Sequence, residues 1–159
     1  MYFKWVECNV EIAKEDVFLT SQSKWRLLAN VPGFVTQFGG WERTNSFLKA
    51  HIFGIWRDVN SYNKFMDEFH DEIFKQTQQD GTYESLEIRF GEVAENTEHF
   101  DLESIDRIVA EFRENKAFYQ MYNTGTLVSK GEVFMINGIN NRTLNIELEP
   151  VWSVKRHLN

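Results

Sequence analysis

Residues 50–74, AHIFGIWRDVNSYNKFMDEFHDEIF, constrain the fold more tightly than any other stretch of this 159-residue chain. Through 47–56 apolar and small residues follow one another without the polar alternation of a half-exposed strand. Such a strand is expected to be covered on both faces, by helices on one side and a second sheet on the other. Immediately after it, Tyr62, Phe65, Met66, Phe69 and Ile73 stand at offsets 0, 3, 4, 7 and 11. That is one apolar stripe of a helix beginning near Asn60 or Ser61 and ending between 76 and 79. His51 lies inside the strand and His70 at the edge of the helical stripe.

The chain before this stretch supplies partners for both elements. Residues 2–12 mix aromatic and β-branched side chains at near-alternating positions and predict a first strand. From 14 to 29, Val17, Phe18, Ser21, Trp25, Leu28 and Ala29 recur on one helical face, and Pro32 with Gly33 stops that helix. FVTQFGGW, 34–41, predicts a second strand whose Gly39 and Gly40 signal a bulge or a close approach of backbones. ERTNS, 42–46, then has the length of a hairpin link. After the Tyr62 helix, QQDGTY breaks the chain, and 84–93 alternates Leu86, Ile88 and Phe90 against Glu87 and Arg89, a fourth strand. The order β, α, β, β, α, β predicts an α+β fold of the ferredoxin-like type, one antiparallel sheet with both helices on one face.

Beyond 95 the composition changes. Domain boundaries are set at 1–95 for this unit and 96–159 for a C-terminal α+β extension packed on it. In the extension, Asp101 is the expected N-cap of a helix over 102–115 with Leu102, Ile105, Ile108, Val109 and Phe112 as its stripe. Strand-like pieces follow at 118–122, 126–129, 133–137 and 144–154, set apart by NTG, SKG and NGINN turn signals.

Fourteen Phe, five Trp and five Tyr provide ample core-forming surface, while a net charge of −7 without a basic cluster argues against a nucleic-acid partner. No apolar run approaches the roughly 20 residues that span a bilayer, and MYFKWVEC lacks the order of a signal peptide, so no membrane association and a cytoplasmic location are expected. Cys8, the single cysteine, excludes an internal disulfide and reads as a small core residue. Asp67, His70 and Asp71 stand within helical reach of one another, but a charged solvated face accounts for them and no metal is expected. His99 and His157 have no evident partner.

NVPGFVTQFGGWE, 30–42, followed by AHIFGIWRDVNSYNKFMDEFHDEI, 50–73, resembles the dimeric α/β-barrel superfamily that includes antibiotic-biosynthesis-type monooxygenases, and within it the YdbC-like branch. The resemblance covers about the first 95 residues. It implies a homodimer whose two four-stranded sheets pack face to face, or a pseudo-dimer in which the extension closes the barrel within one chain. It also implies a small-molecule pocket between sheet and helices. Three uses follow: cofactor-free monooxygenation of an aromatic or quinone-like compound, a non-catalytic ligand-binding or structural module, or haem binding and degradation. The haem-degrading members use an Asn on the first strand with Trp and His on the second helix; here Asn9 is off register by about one residue, His70 is spaced more closely, and Phe65 replaces the Trp. The candidate catalytic residues are His70, Asn9 and His51, and the candidate pocket residues Trp56, Phe65, Phe69, Gln37 and Trp41. Trp and His of this kind also line ordinary cores.

Overall fold

Four strands carry the first half of the chain: β1 (Tyr2–Val10), β2 (Phe34–Arg43), β3 (Leu48–Trp56) and β4 (Ser85–Val93), paired antiparallel in the order β4-β1-β3-β2. The structure is a computed structural model and describes residues 1–94 and 105–156. Between β1 and β2 runs α1 (Glu15–Ser23), flanked by 3-10 turns at Ile12–Lys14 and Lys24–Asn30. Between β3 and β4 lie α2 (Val59–Glu68) and α3 (His70–Thr77). Asp58 caps α2 by accepting from the Ser61 amide at 2.7 Å. The expected single helix over this span is broken at Phe69, whose φ of −127° leaves helical space, so His70 opens a new helix instead of sitting in the middle of one.

Register separates the sheet into two faces with different duties, because paired residues point to the same side. Trp5 opposes Phe53, which opposes Phe38, and Glu7 opposes His51 on the face away from the helices. Lys4 opposes Gly54, and Val6 opposes both Ile52 and Ile88 on the helix face.

The far face is closed by a long hairpin, β5 (Arg107–Asn123) and β6 (Thr126–Leu148). Thr124 and Gly125, at φ 45° and 82°, form the tight turn between them, as a two-residue hairpin loop requires. β6 pairs with β4 at one end, Val133 to Met135 against Val93 to Gly91, and with β2 at the other, where Glu147 and Leu148 meet Trp41 and Gly40. Ile108, Phe112, Met121, Val133, Leu144 and Ile146 of the hairpin share one core with Phe3, Trp5, Phe38 and Phe53. The short β7 (Val154–Lys155) adds to the free edge of β2. Among the described residues, no helix is long and apolar enough to cross a membrane.

Two expectations change here. The helix predicted over 102–115 is strand from Arg107 onward, and its cap Asp101 and first residue Leu102 lie outside the described residues. Ile108, Val109 and Phe112 satisfy a helical stripe, but Ile108, Ala110 and Phe112 satisfy a strand face equally well, and β6 is there to pair with it. The strand-like pieces before 148 merge into the same hairpin: NTG is a turn, whereas SKG and NGINN lie inside β6. Register shifts on either side of Glu114, which has a φ of 48°, bend the hairpin so that its two halves reach opposite edges of the sheet. The face expected to pair with a second copy is therefore occupied by the chain's own hairpin.

Both crossings depend on glycine. A Cβ on Gly40 would stand 1.9 Å from the Glu147 carbonyl oxygen, and one on Gly91 2.6 Å from that of Phe134. Gly39 and Gly40 thus mark a close approach of backbones. Gly40→Ala is expected to destabilise the protein by about 2 kcal/mol, the range for forced overpacking, and to lower the urea midpoint without changing the spectrum of the native state.

Candidate functional site

A cavity of about 120 Å³ lies between the helix face of the sheet and the helices. Its floor is a row across three strands: Lys4 on β1, Gly54 on β3 and Gln37 on β2. Trp56, two residues from Gly54, stacks on Phe65 of α2 at 4.7 Å and meets Phe34 edge-on. Trp25, Phe74 and His70 close the cavity from above. At the β4 side, Leu86 and Ile88 line it while remaining exposed, which places its mouth there.

The polar groups on this apolar wall are few and held in place. Trp25 Nε1 donates to Gln79 Oε1 at 2.7 Å, and Gln79 Nε2 donates to Gln22 Oε1 at the same distance, fixing the orientation of Gln22 beside the cavity. Gln37 Nε2 donates to the Trp152 carbonyl at 3.5 Å. His70 Nδ1 lies 2.9 Å from Asp71 Oδ1, and its ring stacks on Phe74 at 5.9 Å and meets Phe65 at 5.6 Å. With Nδ1–H donated to Asp71, Nε2 is the ring's acceptor and has no hydrogen-bond partner among the described residues.

Lys4 is the only Lys or Arg among the described residues that line this cavity. Its ammonium stands 5.5 Å from the Tyr62 ring, and burial pushes it down to about 8, with Cys8 acting in the opposite direction. Burial, and secondarily the charge of Glu7, push the Cys8 thiol up to about 12, so this wall residue is a protonated core thiol.

Of the residues expected from sequence, the cavity brings together His70, Trp56, Phe65 and Gln37. Phe69 packs beside it in the aromatic cluster of the helices without lining it. Trp41 lies elsewhere, fully enclosed between Phe18 and Trp152 at 5.5 and 4.9 Å. Asn9 is exposed on the opposite face and donates to Ser85 Oγ at 2.8 Å.

His51 also belongs to the opposite face. Its Nδ1 accepts from Trp5 Nε1 at 3.1 Å, so Nε2 carries the proton toward Glu42 at 2.9 Å. Around it, Glu7 is paired with Lys49 at 2.8 Å and Arg142 at 2.9 Å. Burial alone would raise the Glu7 carboxyl, but the hydrogen bond from Lys49 and the charge of Arg142 outweigh it and hold it below the ordinary range. Arg142 belongs to β6, so this cluster ties hairpin to sheet. It does not meet His70.

Lys4, Gln22 and Gln79 lie outside the candidates drawn from sequence. The signal for Lys4 was present: it stands in phase with Tyr2, Val6 and Cys8, the helix-facing set of β1.

Residues 2–90 match a family described as a domain of unknown function, DUF4937. The uncharacterised protein YdbC of Bacillus subtilis (strain 168) is 34% identical over 89 residues, which is 55% of this chain and 75% of that protein. Two solved structures named as putative monooxygenases share the fold. The one from Fusobacterium nucleatum superposes with a TM-score of 0.64 over 97% of this chain and 94% of its own, and the one from Lactobacillus acidophilus NCFM with 0.57 over 98% and 96%, each at 8% identity. An anthrone oxidase-like protein superposes with 0.53 over 93% and 91%, also at 8% identity. At such identity the likeness is one of fold, and it includes the hairpin.

Lys4 gives the cavity a measurable pH signature. Its folded value near 8 lies below the ordinary 10.5, so between those values the unfolded chain binds more protons than the folded one. Stability contributed at this site therefore rises with pH across that window, by roughly 3 kcal/mol at most. Urea unfolding of wild type and Lys4→Met from pH 7 to pH 10.5 is expected to show the variant more stable at pH 7, with the difference shrinking as pH rises.

Proposed function

We infer that this chain, which belongs to the DUF4937 family, is a small-molecule pocket protein that oxidises a single-ring aromatic or quinone-like compound without a bound cofactor. The observation that carries this is the cavity itself: an apolar slot with one open side, lined by Trp56 and Phe65 and by the polar side chains of Lys4, Gln37 and His70. Cofactor-free oxygenation asks for little more. A substrate hydroxyl or activated C–H gives up a proton, the resulting anion passes electrons to O₂, and apolar walls keep bulk water from the reacting atoms. For an activated methylene the balance is CH₂ plus O₂ giving C=O plus water. His70 Nε2 is the proton acceptor in this reading, with Asp71 orienting the imidazole.

The size of the cavity supports one ring rather than several. Pockets for drug-sized ligands run to roughly 300 Å³ and above, whereas an engineered cavity of about 150 Å³ holds benzene. Haem does not fit on the same ground. The space of about 120 Å³ is too small for the macrocycle, and Asn9, one of the two residues that suggested it, stands on the other face of the sheet.

The same reading takes the functional unit as one chain, with a ferredoxin-like sheet whose barrel is completed by β5 and β6. Light scattering is expected to return the mass of a monomer, 18.9 kDa, and a dimeric mass would put the second copy elsewhere than on the Trp5 face.

The activity is tested with an oxygen electrode and a panel of substituted hydroquinones and hydroxyaryl ketones. Uptake that depends on intact protein and falls about 100-fold in His70→Ala, as for loss of a general base, is the expected result. Binding of the same compounds without oxygen uptake would leave a ligand-binding module and remove the oxygenase.

A further inference from the structure

We propose that the cavity floor at Gly54 is an anion site, which holds the phenolate oxygen of a single-ring ligand between Lys4 Nζ and Trp56 Nε1. The site rests on the cavity being a small-molecule pocket and does not depend on oxygen chemistry.

The argument starts from a missing side chain. Gly54 stands at the centre of the floor, opposite Lys4 on one neighbouring strand and Gln37 on the other. A Cβ there would meet nothing nearer than Trp56 Nε1 at 3.7 Å, so the position is not glycine because of crowding. Its φ is not in the left-handed region either. Glycine at a central strand position weakens the strand, and here what it provides is open space directly above the backbone.

That space is bordered by donors. The Trp56 indole nitrogen stands 3.7 Å from where a Gly54 Cβ would be and has no hydrogen-bond partner among the described residues; an indole nitrogen can only donate. Lys4 flanks it from β1. Among the described residues no carboxylate pairs with the Lys4 ammonium, and Cys8, an ionisable group on its strand face, is a neutral thiol. The other titratable groups around the cavity are Tyr83 and His70, with Tyr62 beside the amine, and none is an acid ionised at neutral pH. An ammonium held in an apolar wall without a counterion is poorly solvated, and an incoming anion relieves that cost.

A phenolate suits the site better than a carboxylate. Its charge is spread into the ring, so less hydration is lost on entry. The ring then fills the apolar slot against Trp56 and Phe65 while the oxygen meets the two donors. Size points the same way, since about 120 Å³ accommodates one ring.

4-Nitrophenol is the direct probe, because it ionises near neutral pH and only its phenolate is yellow. Wild-type protein is expected to bind it and lower its apparent pKa by about one unit, a tenfold preference for the anion, so that colour appears in protein solution at a pH where the free probe is colourless. Lys4→Met is expected to abolish that shift while far-UV circular dichroism is retained. Gly54→Ala, which the geometry accommodates, is expected to fill the floor and weaken binding about tenfold or more; it decides the matter alone if Lys4→Met does not fold. Binding of the neutral phenol, an unchanged shift in Lys4→Met, or full affinity in Gly54→Ala would each overturn the proposal. A phenolate shift without oxygen uptake leaves the anion site standing and the oxygenase fallen; uptake without a shift does the reverse.

Discussion

Trp5 is fully buried, its indole between Phe53 of its own sheet and Phe112 of the hairpin, with ring centroids 6.1 and 4.5 Å away. Each aromatic ring removed from water in such a stack is worth on the order of 2 kcal/mol. The polar end of the same indole is bound to His51, and the guanidiniums of Arg89 and Arg142 lie over its ring at 4.6 and 5.7 Å. A sheet carrying Phe3, Trp5, Phe38 and Phe53 on one side is unstable in water until something covers them, and the bent hairpin is what does so. That seal leaves only about 20 Å³ of space between sheet and hairpin, against about 120 Å³ between sheet and helices. The Glu7 cluster serves the seal, since Arg142 comes from the hairpin and Glu7, Glu42, Lys49 and Arg89 from the sheet.

The sequence was most readable where one period prevailed. β3, apolar at nearly every position, announced a strand covered on both faces, and both covers are there: helices on one side and β5 with β6 on the other. What could not be read was the identity of the second cover. Ile108, Val109 and Phe112 sit at spacings that a helix and a strand both accept, and only a paired β6 makes the strand the better solution. Likewise, NGINN has the composition of a turn, but Gly138 and its neighbours lie where the hairpin bends, and a bend uses the same residues as a turn. Phe69 continues the apolar stripe on paper. Its backbone leaves the helix there, which rotates His70 onto the cavity.

The candidate site was half visible for a related reason. His70, Trp56, Phe65 and Gln37 were accessible to reasoning because aromatic and histidine side chains near a helix-sheet junction attract attention. His51 attracted it equally, yet strand alternation places it on the sealed face with Trp5, where it serves as a hydrogen-bonded link between Trp5 and Glu42. Lys4 drew none, because a lysine in a strand is ordinarily the solvent-facing member of the alternation. Counting by twos from Tyr2 through Val6 and Cys8 would have placed it inward.

The two faces of the sheet thus treat buried charge in opposite ways. On the hairpin side every charged group near Trp5 has a partner of opposite sign, as a dry structural interior requires. On the helix side Lys4 has none among the described residues, and the strand opposite it lacks a side chain where a ligand atom would stand. An unpaired ammonium costs stability, and relaxation would be simple: an acidic residue at position 54 or 37 would neutralise it, or an apolar one at position 4 would remove it. The chain instead keeps the cost and the space together at the same point of the floor, which is the arrangement expected where a ligand supplies the missing charge.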